Sequence, residues 1–151
     1  MGDSLISFTV YGEPVPWKRT RAKTHKVKDK KSGKEKTTVH FFEDKKVSEY
    51  KEKVIQAYRE SGGRYFDKDV PLIVDIDLYM GVPKSLSHNK QIDLIADHRP
   101  TKRPDLDNLY KGITDALNRV AYYDDSQIIS TCTAKYWSGE PRAEIVIKEF
   151  K

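Results

Sequence analysis

The strongest periodic signal in this chain lies between residues 106 and 120. Apolar side chains recur there at i, i+3, i+4 and i+7, the spacing that places them on one face of an α-helix. They are Leu106, Leu109, Tyr110, Ile113, Ala116, Leu117 and Val120. A helix with one continuous apolar face has to bury that face against another element. The pattern therefore predicts an amphipathic helix packed on the rest of the domain.

Four other segments have the composition of β-strands. Residues 5–11, 71–80 and 143–150 alternate apolar and polar side chains, as half-buried strands do, and residues 128–137 are rich in β-branched side chains. The turn-forming residues 138–141 separate the last two strands. We therefore expect these two strands to pair as an antiparallel hairpin.

Two further helices complete the predicted elements. The first begins after Asp44, which suits an N-cap, and ends at Gly62-Gly63; the second is a short helix over 85–98. Residues 25–42 can form a loose hairpin or remain disordered, because they are rich in lysine. This order of elements predicts an α+β fold, with helices packed on a mixed β-sheet, in a single domain that spans residues 1–151.

Length and composition exclude several classes of protein. A chain of 151 residues supports one packed core, and no apolar run approaches the roughly 20 residues of a membrane span. The first four residues, Met1 to Ser4, lack the cationic and apolar regions of a signal peptide, so we expect a cytoplasmic protein. Cys132 is the only cysteine, which excludes an intramolecular disulfide and a multi-cysteine zinc site. We expect it to be a small buried side chain.

The positive charge is concentrated in one basic loop, residues 18–36. This loop holds ten Lys and Arg against Asp29 and Glu35, a net charge of +8, whereas the whole chain carries +5. A basic loop on a mildly acidic body indicates a polyanionic partner such as DNA. The alternative is a solvated, mobile loop that binds nothing.

Five aspartates lie on or around the last helix, within a chain whose charge otherwise favours polyanions: Asp105, Asp107, Asp115, Asp124 and Asp125. Carboxylates repel phosphate unless a divalent cation lies between them, and Mg²⁺ binds one or two carboxylates together with phosphate oxygens. The combination therefore indicates metal-dependent phosphodiester chemistry.

The spacing supports this hypothesis but leaves an alternative open. If Asp105 is the N-cap, both Asp105 and Asp107 lie in the first turn, and Lys111 lies one turn further, where it could stabilise negative charge. Alternatively, the aspartates only favour the helix terminus, and Lys111 forms an ordinary surface pair with Asp115. The pair Asp124–Asp125 also suits a simple turn.

Four segments carry a family resemblance. The longest run is RPDLDNLYKGITDAL from Arg103 to Leu117, followed by YDDSQI from Tyr123 to Ile128. GEPVPWKRTR, residues 12–21, and VPKS, residues 82–85, add an amino-terminal and a central block. Together they resemble the RusA family of Holliday junction resolvases, which are crossover junction endodeoxyribonucleases. The basic loop is covered least well.

The resemblance implies a homodimeric endodeoxyribonuclease, of a kind often carried by prophages, that binds four-way DNA junctions and cuts opposing strands with Mg²⁺ or Mn²⁺. Matched position by position, Asp105, Asp107 and Asp125 correspond to the catalytic, metal-binding aspartates of the family, and Lys111 corresponds to its important lysine. The resemblance leaves open whether Asp124 or Asp125 faces the metal.

The remaining expectations concern DNA contacts and alternative functions. Basic residues around the motifs are expected to bind DNA: Lys18, Arg19, Arg21, Lys23, Lys102 and Arg103. Trp17 and Trp137 are expected in the core or the sheet. The alternatives are a nuclease for flaps or other branched DNA, and a non-catalytic basic DNA-binding protein whose aspartates only cap a helix.

Overall fold

The elements follow the predicted order along the chain. A computed structural model describes residues 5–151; residues 1–4, on which the expectation about a signal peptide rests, lie outside the described residues. The described elements are β1 (Leu5–Tyr11), β2 (Arg21–Lys28), β3 (Glu35–Phe42), α1 (Lys45–Glu60), β4 (Leu72–Gly81), α2 (His88–Asp97), α3 (Leu106–Leu117), β5 (Ile128–Ser138) and β6 (Arg142–Glu149). The α+β fold class is confirmed.

Four strands form the main sheet, in the order β1-β6-β4-β5. β4 runs antiparallel to β6 and parallel to β5, so the sheet is mixed, as predicted. One face carries the buried side chains of the alternating strands, including all five of β4 (Leu72, Val74, Ile76, Leu78 and Met80). Helices α1 and α3 contact each other and contribute their apolar faces to the same core.

The predicted hairpin of β5 and β6 is wrong, because β4 lies between the two strands. Strands two places apart in a sheet are separated by about 10 Å, a gap that residues 139–141 can span at the end of β4. The N–H of Val82 donates to the carbonyl of Ser138 at 3.1 Å and attaches this connection to the chain that leaves β4. Turn residues show that the chain reverses, but they do not show which strand it joins.

The three predicted helices are present, and their first and last residues differ slightly from the predicted ones. Asp44 caps α1 by accepting a hydrogen bond from the Lys46 N–H at 2.9 Å. α2 begins at His88, three residues later than expected, and buries no side chain. α3 ends at Leu117, so Val120 lies in the turn that follows the helix. No helix within residues 5–151 is long and apolar enough to cross a membrane.

The basic loop is part of a hairpin that stands apart from the main sheet. β2 and β3 form a separate two-stranded antiparallel sheet, and β2 begins at Arg21, four residues before the expected start. Every residue of both strands is exposed. We call residues 21–42 the arm. By contrast with expectation, Cys132 is exposed on β5 instead of buried.

Two buried tyrosines differ in how their hydroxyl groups are satisfied. The Tyr122 hydroxyl donates to the carbonyl of Thr114 at 2.6 Å, and this carbonyl is one of the last four in α3, which have no partner within a helix. The Tyr50 hydroxyl is buried and has no hydrogen-bond partner in the described part of the chain. Burial raises the pKa of Tyr50, and the charge of Glu13 adds to the shift.

These environments predict opposite effects of the same substitution. Tyr50→Phe should leave the free energy of unfolding unchanged or raise it by up to about 1 kcal/mol, because it removes an unsatisfied buried hydroxyl. Tyr122→Phe should lower it by about 1 to 3 kcal/mol, because the Thr114 carbonyl loses its partner. Urea unfolding of both variants measures the difference, and equal destabilisation by the two would contradict this explanation of the core.

Candidate functional site

Two of the predicted site residues lie at the amino-terminal end of α3. Asp105 is the N-cap, with extended backbone angles (φ −69°, ψ 143°), but its side chain makes no capping hydrogen bond. Asp107 follows in the first turn, and both carboxylates are exposed. The Asn108 N–H donates to the Asp107 carboxylate at 2.9 Å, whereas the Asp105 carboxylate accepts none of the N–H groups at this end of the helix. Asp105 therefore keeps its carboxylate oxygens available for another partner.

The segment that leads into Asp105 is attached to β5 by Lys135. Its ammonium group donates to the carbonyls of Lys102, at 3.1 Å, and Pro104, at 2.9 Å. At the start of the segment, Arg99 donates to the carbonyl of Lys135 at 3.2 Å, and its guanidinium carbon lies 3.8 Å from the ring centroid of Tyr136. These contacts fix the direction in which the chain enters α3. Sequence analysis did not find this role of Lys135, because an isolated lysine in a strand carries no such signal.

On another side of α3, the segment after β1 lies directly against the helix. The N–H of Trp17 donates to the carbonyl of Asn108 at 2.8 Å. Gly112 permits this approach, because a Cβ at that position would lie 2.7 Å from the carbonyl oxygen of Val15 and 3.3 Å from the Trp17 nitrogen. The glycine within the motif is thus explained by backbone packing.

Lys111 contacts Trp17 instead of Asp115. Its ammonium nitrogen lies 3.9 Å from the centroid of the Trp17 ring, a cation–π contact. Asp115 pairs with Lys51 at 2.7 Å, and Lys51 also contacts Glu43. The alternative in which Lys111 pairs with Asp115 on the surface is therefore wrong, and so is the expected placement of Trp17 in the core or sheet. Trp137, in contrast, is partly buried against the core, as expected.

A cleft lies beside the amino-terminal end of α3. Its volume is about 480 Å³, and its lining is Pro16, Trp17, Lys18, Arg103, Pro104, Asp105 and Asn108. The Lys18 ammonium is 3.7 Å from a carboxylate oxygen of Asp44, and half of its side chain stays exposed. Arg103 is exposed as well. A carboxylate that caps nothing and two exposed cations thus border the same cleft.

The other predicted DNA-binding residues lie on two sides of this cleft. Lys102 is next to Arg103 and is exposed. Arg19 is exposed in the segment between Trp17 and the arm. Arg21 and Lys23 belong to β2, the first strand of the arm. The predicted cations therefore extend from the cleft onto the arm.

The two candidates for a third carboxylate have different environments. Asp124 caps the short 3₁₀ helix Asp125–Gln127: it accepts from the N–H of Ser126 at 3.1 Å, while its own N–H donates to the side chain of Gln127 at 3.0 Å. Hydrogen bonds from the side chain and N–H of Ser126 lower the pKa of Asp124. Asp125 is exposed. Asp124 is thus occupied by local structure.

Asp125 lies near Tyr110, which follows Asp107 by three residues on α3. Burial raises the pKa of Tyr110, and the negative charge of Asp125 raises it further. Within residues 5–151, however, no three His, Cys, Asp or Glu side chains form a group that could hold a metal ion. The structure thus places Asp105 and Asp107 in one turn of α3. Asp125 does not form a three-ligand group with them. Two carboxylates still fit Mg²⁺, which keeps several waters and binds phosphate oxygens as its other ligands.

Comparison with known proteins identifies the family of this chain. The profile of the family described as Endodeoxyribonuclease RusA matches residues 12–148, a range that contains the cleft, α3 and both candidate carboxylates before β5. The chain belongs to this family.

Two relatives differ in how much is known of them. The chain is similar to the uncharacterised protein YqaN of Bacillus subtilis (strain 168), with 36% identity over 95% of this chain and 96% of the relative. It is also similar to the crossover junction endodeoxyribonuclease rusA of Lactococcus phage r1t, with 29% identity over 74% of this chain and 79% of the relative.

The close approach at Gly112 predicts a specific destabilisation. Gly112→Ala should lower the free energy of unfolding by about 1 to 3 kcal/mol, because the new methyl group meets backbone atoms that cannot turn aside. It should also change the fluorescence of Trp17, measured in a Trp137→Phe background. Gly139→Ala is the matched control, since a Cβ there meets no atom within 4 Å. Unfolding of both variants like the parent protein would show that the helix and the Trp17 segment are not packed this closely.

Proposed function

We propose that this protein is a metal-dependent endodeoxyribonuclease that binds four-way DNA junctions and resolves them by paired phosphodiester cleavage. The observation that carries the proposal is the position of Asp105, a carboxylate at an N-cap that makes no capping bond and borders a cleft with Lys18 and Arg103. The similarity to the phage protein named a crossover junction endodeoxyribonuclease supports the same substrate class.

In this proposal Asp105 and Asp107 would hold Mg²⁺, or Mn²⁺ in its place. Since residues 5–151 contain no three-ligand group, Asp125 would have to move toward this pair to become the third metal-binding carboxylate. Asp125 is preferred to Asp124 because Asp124 already caps a helix. A bound Mg²⁺ supplies charge neutralisation at the phosphate and lowers the pKa of a coordinated water. Asp105, Asp107, Lys111 and Asp125 are thus the proposed catalytic residues.

The basic residues have two proposed roles. Lys111, held over the Trp17 ring, stabilises negative charge on the phosphate that reacts. It follows Asp107 by one turn of α3. The exposed cations Lys18, Arg19, Lys102 and Arg103 bind neighbouring phosphates and position the strand in the cleft. Arg21 and Lys23 extend this phosphate-binding surface onto the arm.

Two alternatives make different predictions. A nuclease for flaps or other branched DNA would cut those substrates as fast as a four-way junction. A non-catalytic DNA-binding protein would cut none of them, with or without metal. The free side chain of Asp105 argues against the second alternative, because that alternative assigns the carboxylate to helix capping.

Substitution of one carboxylate tests the assignment. Asp107→Asn should lower the rate of junction cleavage in Mg²⁺ by at least about 100-fold. Loss of a group that only supports a metal ligand lowers activity by up to about 100-fold, and loss of a ligand itself should cost at least as much. Binding of the junction in EDTA should persist or tighten, because a negative charge near phosphate is removed. Asp93→Asn, on the exposed side of α2, is the matched control and should cut normally. Near-normal cleavage by Asp107→Asn, or cleavage by the parent protein in EDTA, would refute the proposal.

We further propose that the active form is a twofold-symmetric homodimer. Each chain offers one site at α3, whereas resolution of a junction requires two cuts that are related by symmetry. Closed dimers with a twofold axis are also the commonest oligomers of soluble proteins. The dimer would join two basic surfaces into one platform for a branched substrate.

Sedimentation at micromolar concentration, with and without a four-way junction, measures the oligomeric state. We expect a dimer in at least the bound form. A protein that sediments as a monomer in both conditions and still makes paired cuts would contradict the proposed symmetry.

A further inference from the structure

The arm, residues 21–42, is an isolated β-ribbon. Its strands of eight residues each pair with one another and with no strand of the main sheet in the described part of the chain. At about 3.4 Å per residue the strands extend over roughly 27 Å. Two-stranded ribbons without further packing are marginally stable in water. The arm is thus long and solvent-exposed, and its strands contribute no buried side chain to the core.

The register gives the arm two different faces, because directly paired residues point to the same side. One face carries Arg21, Lys23, His25, Val27, Lys36, Thr38, His40 and Phe42; the other carries Ala22, Thr24, Lys26, Lys28, Glu35, Thr37, Val39 and Phe41. On the first face, His25 and His40 lie edge to face with their ring centroids 5.5 Å apart. Phe41 and Phe42 are adjacent in sequence but point in opposite directions.

The ring of Phe41 is largely uncovered. It is 72% exposed, and its partner across the ribbon is Ala22, which has only a methyl group. Phe42 is 45% exposed and lies opposite Arg21. Phe41 is therefore the more exposed of the two adjacent rings, and the residue opposite it is the smaller one.

The charge of the arm identifies the class of partner. It holds eight Lys and Arg against Asp29 and Glu35, a net charge of +6. The carboxylate of Asp29 accepts hydrogen bonds from the Lys31 N–H and the Ser32 hydroxyl, so it is part of the turn between the strands. Nucleic-acid surfaces combine cations, which hold phosphates, with aromatic rings, on which bases stack. Among polyanions, DNA is the partner that agrees with membership of a family of endodeoxyribonucleases.

We infer that Phe41 stacks on an open base or base pair at the branch point of the DNA, while the cations of the arm hold the phosphates beside it. Continuous duplex offers no free base face at its interior, so Phe41 contributes to recognition of branched DNA and the cations contribute to binding of all DNA. This inference depends on the proposed function for the branched substrate and adds the residue that selects it.

The experiment compares Phe41→Ala with Phe42→Ala, which removes the adjacent ring on the opposite face. Binding is measured in EDTA, to a synthetic four-way junction and to a linear duplex of the same arm sequence. Phe41→Ala should weaken junction binding by roughly tenfold, within the range known for loss of one base–aromatic stack, and leave duplex binding unchanged. Phe42→Ala should change neither substantially, and Phe41→Trp should retain junction binding.

A fluorescent base reports the contact directly. 2-Aminopurine at the branch point should change its fluorescence on binding of the parent protein and of Phe42→Ala, but not of Phe41→Ala. Replacing Lys23, Lys26 and Lys28 by Gln should instead weaken binding of both DNAs and flatten the dependence of log affinity on log salt, by about 0.9 for each phosphate that the variant no longer neutralises. An unchanged slope would mean that the arm is solvated and binds no phosphate.

Several results would overturn the inference. One is an equal loss of junction and duplex binding by Phe41→Ala, and another is an equal effect of the two phenylalanine variants. A third is a change in sedimentation caused by Phe41→Ala, because it would assign the ring to a contact between two copies of the chain. The test needs no cleavage. If the parent protein cuts no junction but the Phe41 effect holds, the proposed function fails and the inference stands; the reverse pattern removes only the inference.

Discussion

Burial of one face of α3 is the interaction on which the site depends. Leu109, Ile113 and Leu117 are each at most 1% exposed, and burying a side chain of this size stabilises a fold by about 1.5 to 3 kcal/mol. Because these residues are packed against the sheet and α1, the helix cannot rotate or slide. Its amino-terminal turn, which carries Asp107, is thereby held on the surface. The backbone that carries the Asp107 side chain is therefore held by the core behind it.

Much of this fold could be predicted from the sequence, because it follows from local periodicity. The buried alternation of β1 and β4, the cap at Asp44 and the amphipathic helix at residues 106–117 all depend on side chains close together in the chain. The place of β4 between β5 and β6 could not be predicted, since strand neighbours are set by packing between distant segments. The exposure of Cys132 follows from the same cause, because the register pairs it with Asp75 on the face of the sheet opposite the core.

In the candidate site, too, local features could be predicted from the sequence and contacts between distant segments could not. The carboxylates and Lys111 were predicted from their spacing and from the motif that they form, and they stay predictions. Trp17 and Lys135 were missed, because each acts through a contact with a segment far away in the sequence: Trp17 with α3, and Lys135 with the carbonyls that precede Asp105. The structure also separates two adjacent aspartates that the sequence treats alike, since Asp124 serves as a cap and Asp125 does not.

The attachment of the arm has a consequence for how such proteins can diverge. The arm leaves the body at Arg21 and returns at its paired residue, Phe42, so changes in its length need not displace a core residue. Adding two residues to each strand would preserve the side of the ribbon on which every original side chain stands, whereas adding one to each would reverse the sides beyond the insertion. The length of the ribbon can thus change in steps of about 7 Å without displacing the carboxylates at the start of α3. Mutation can therefore lengthen or shorten the ribbon without changing the main sheet or the helices.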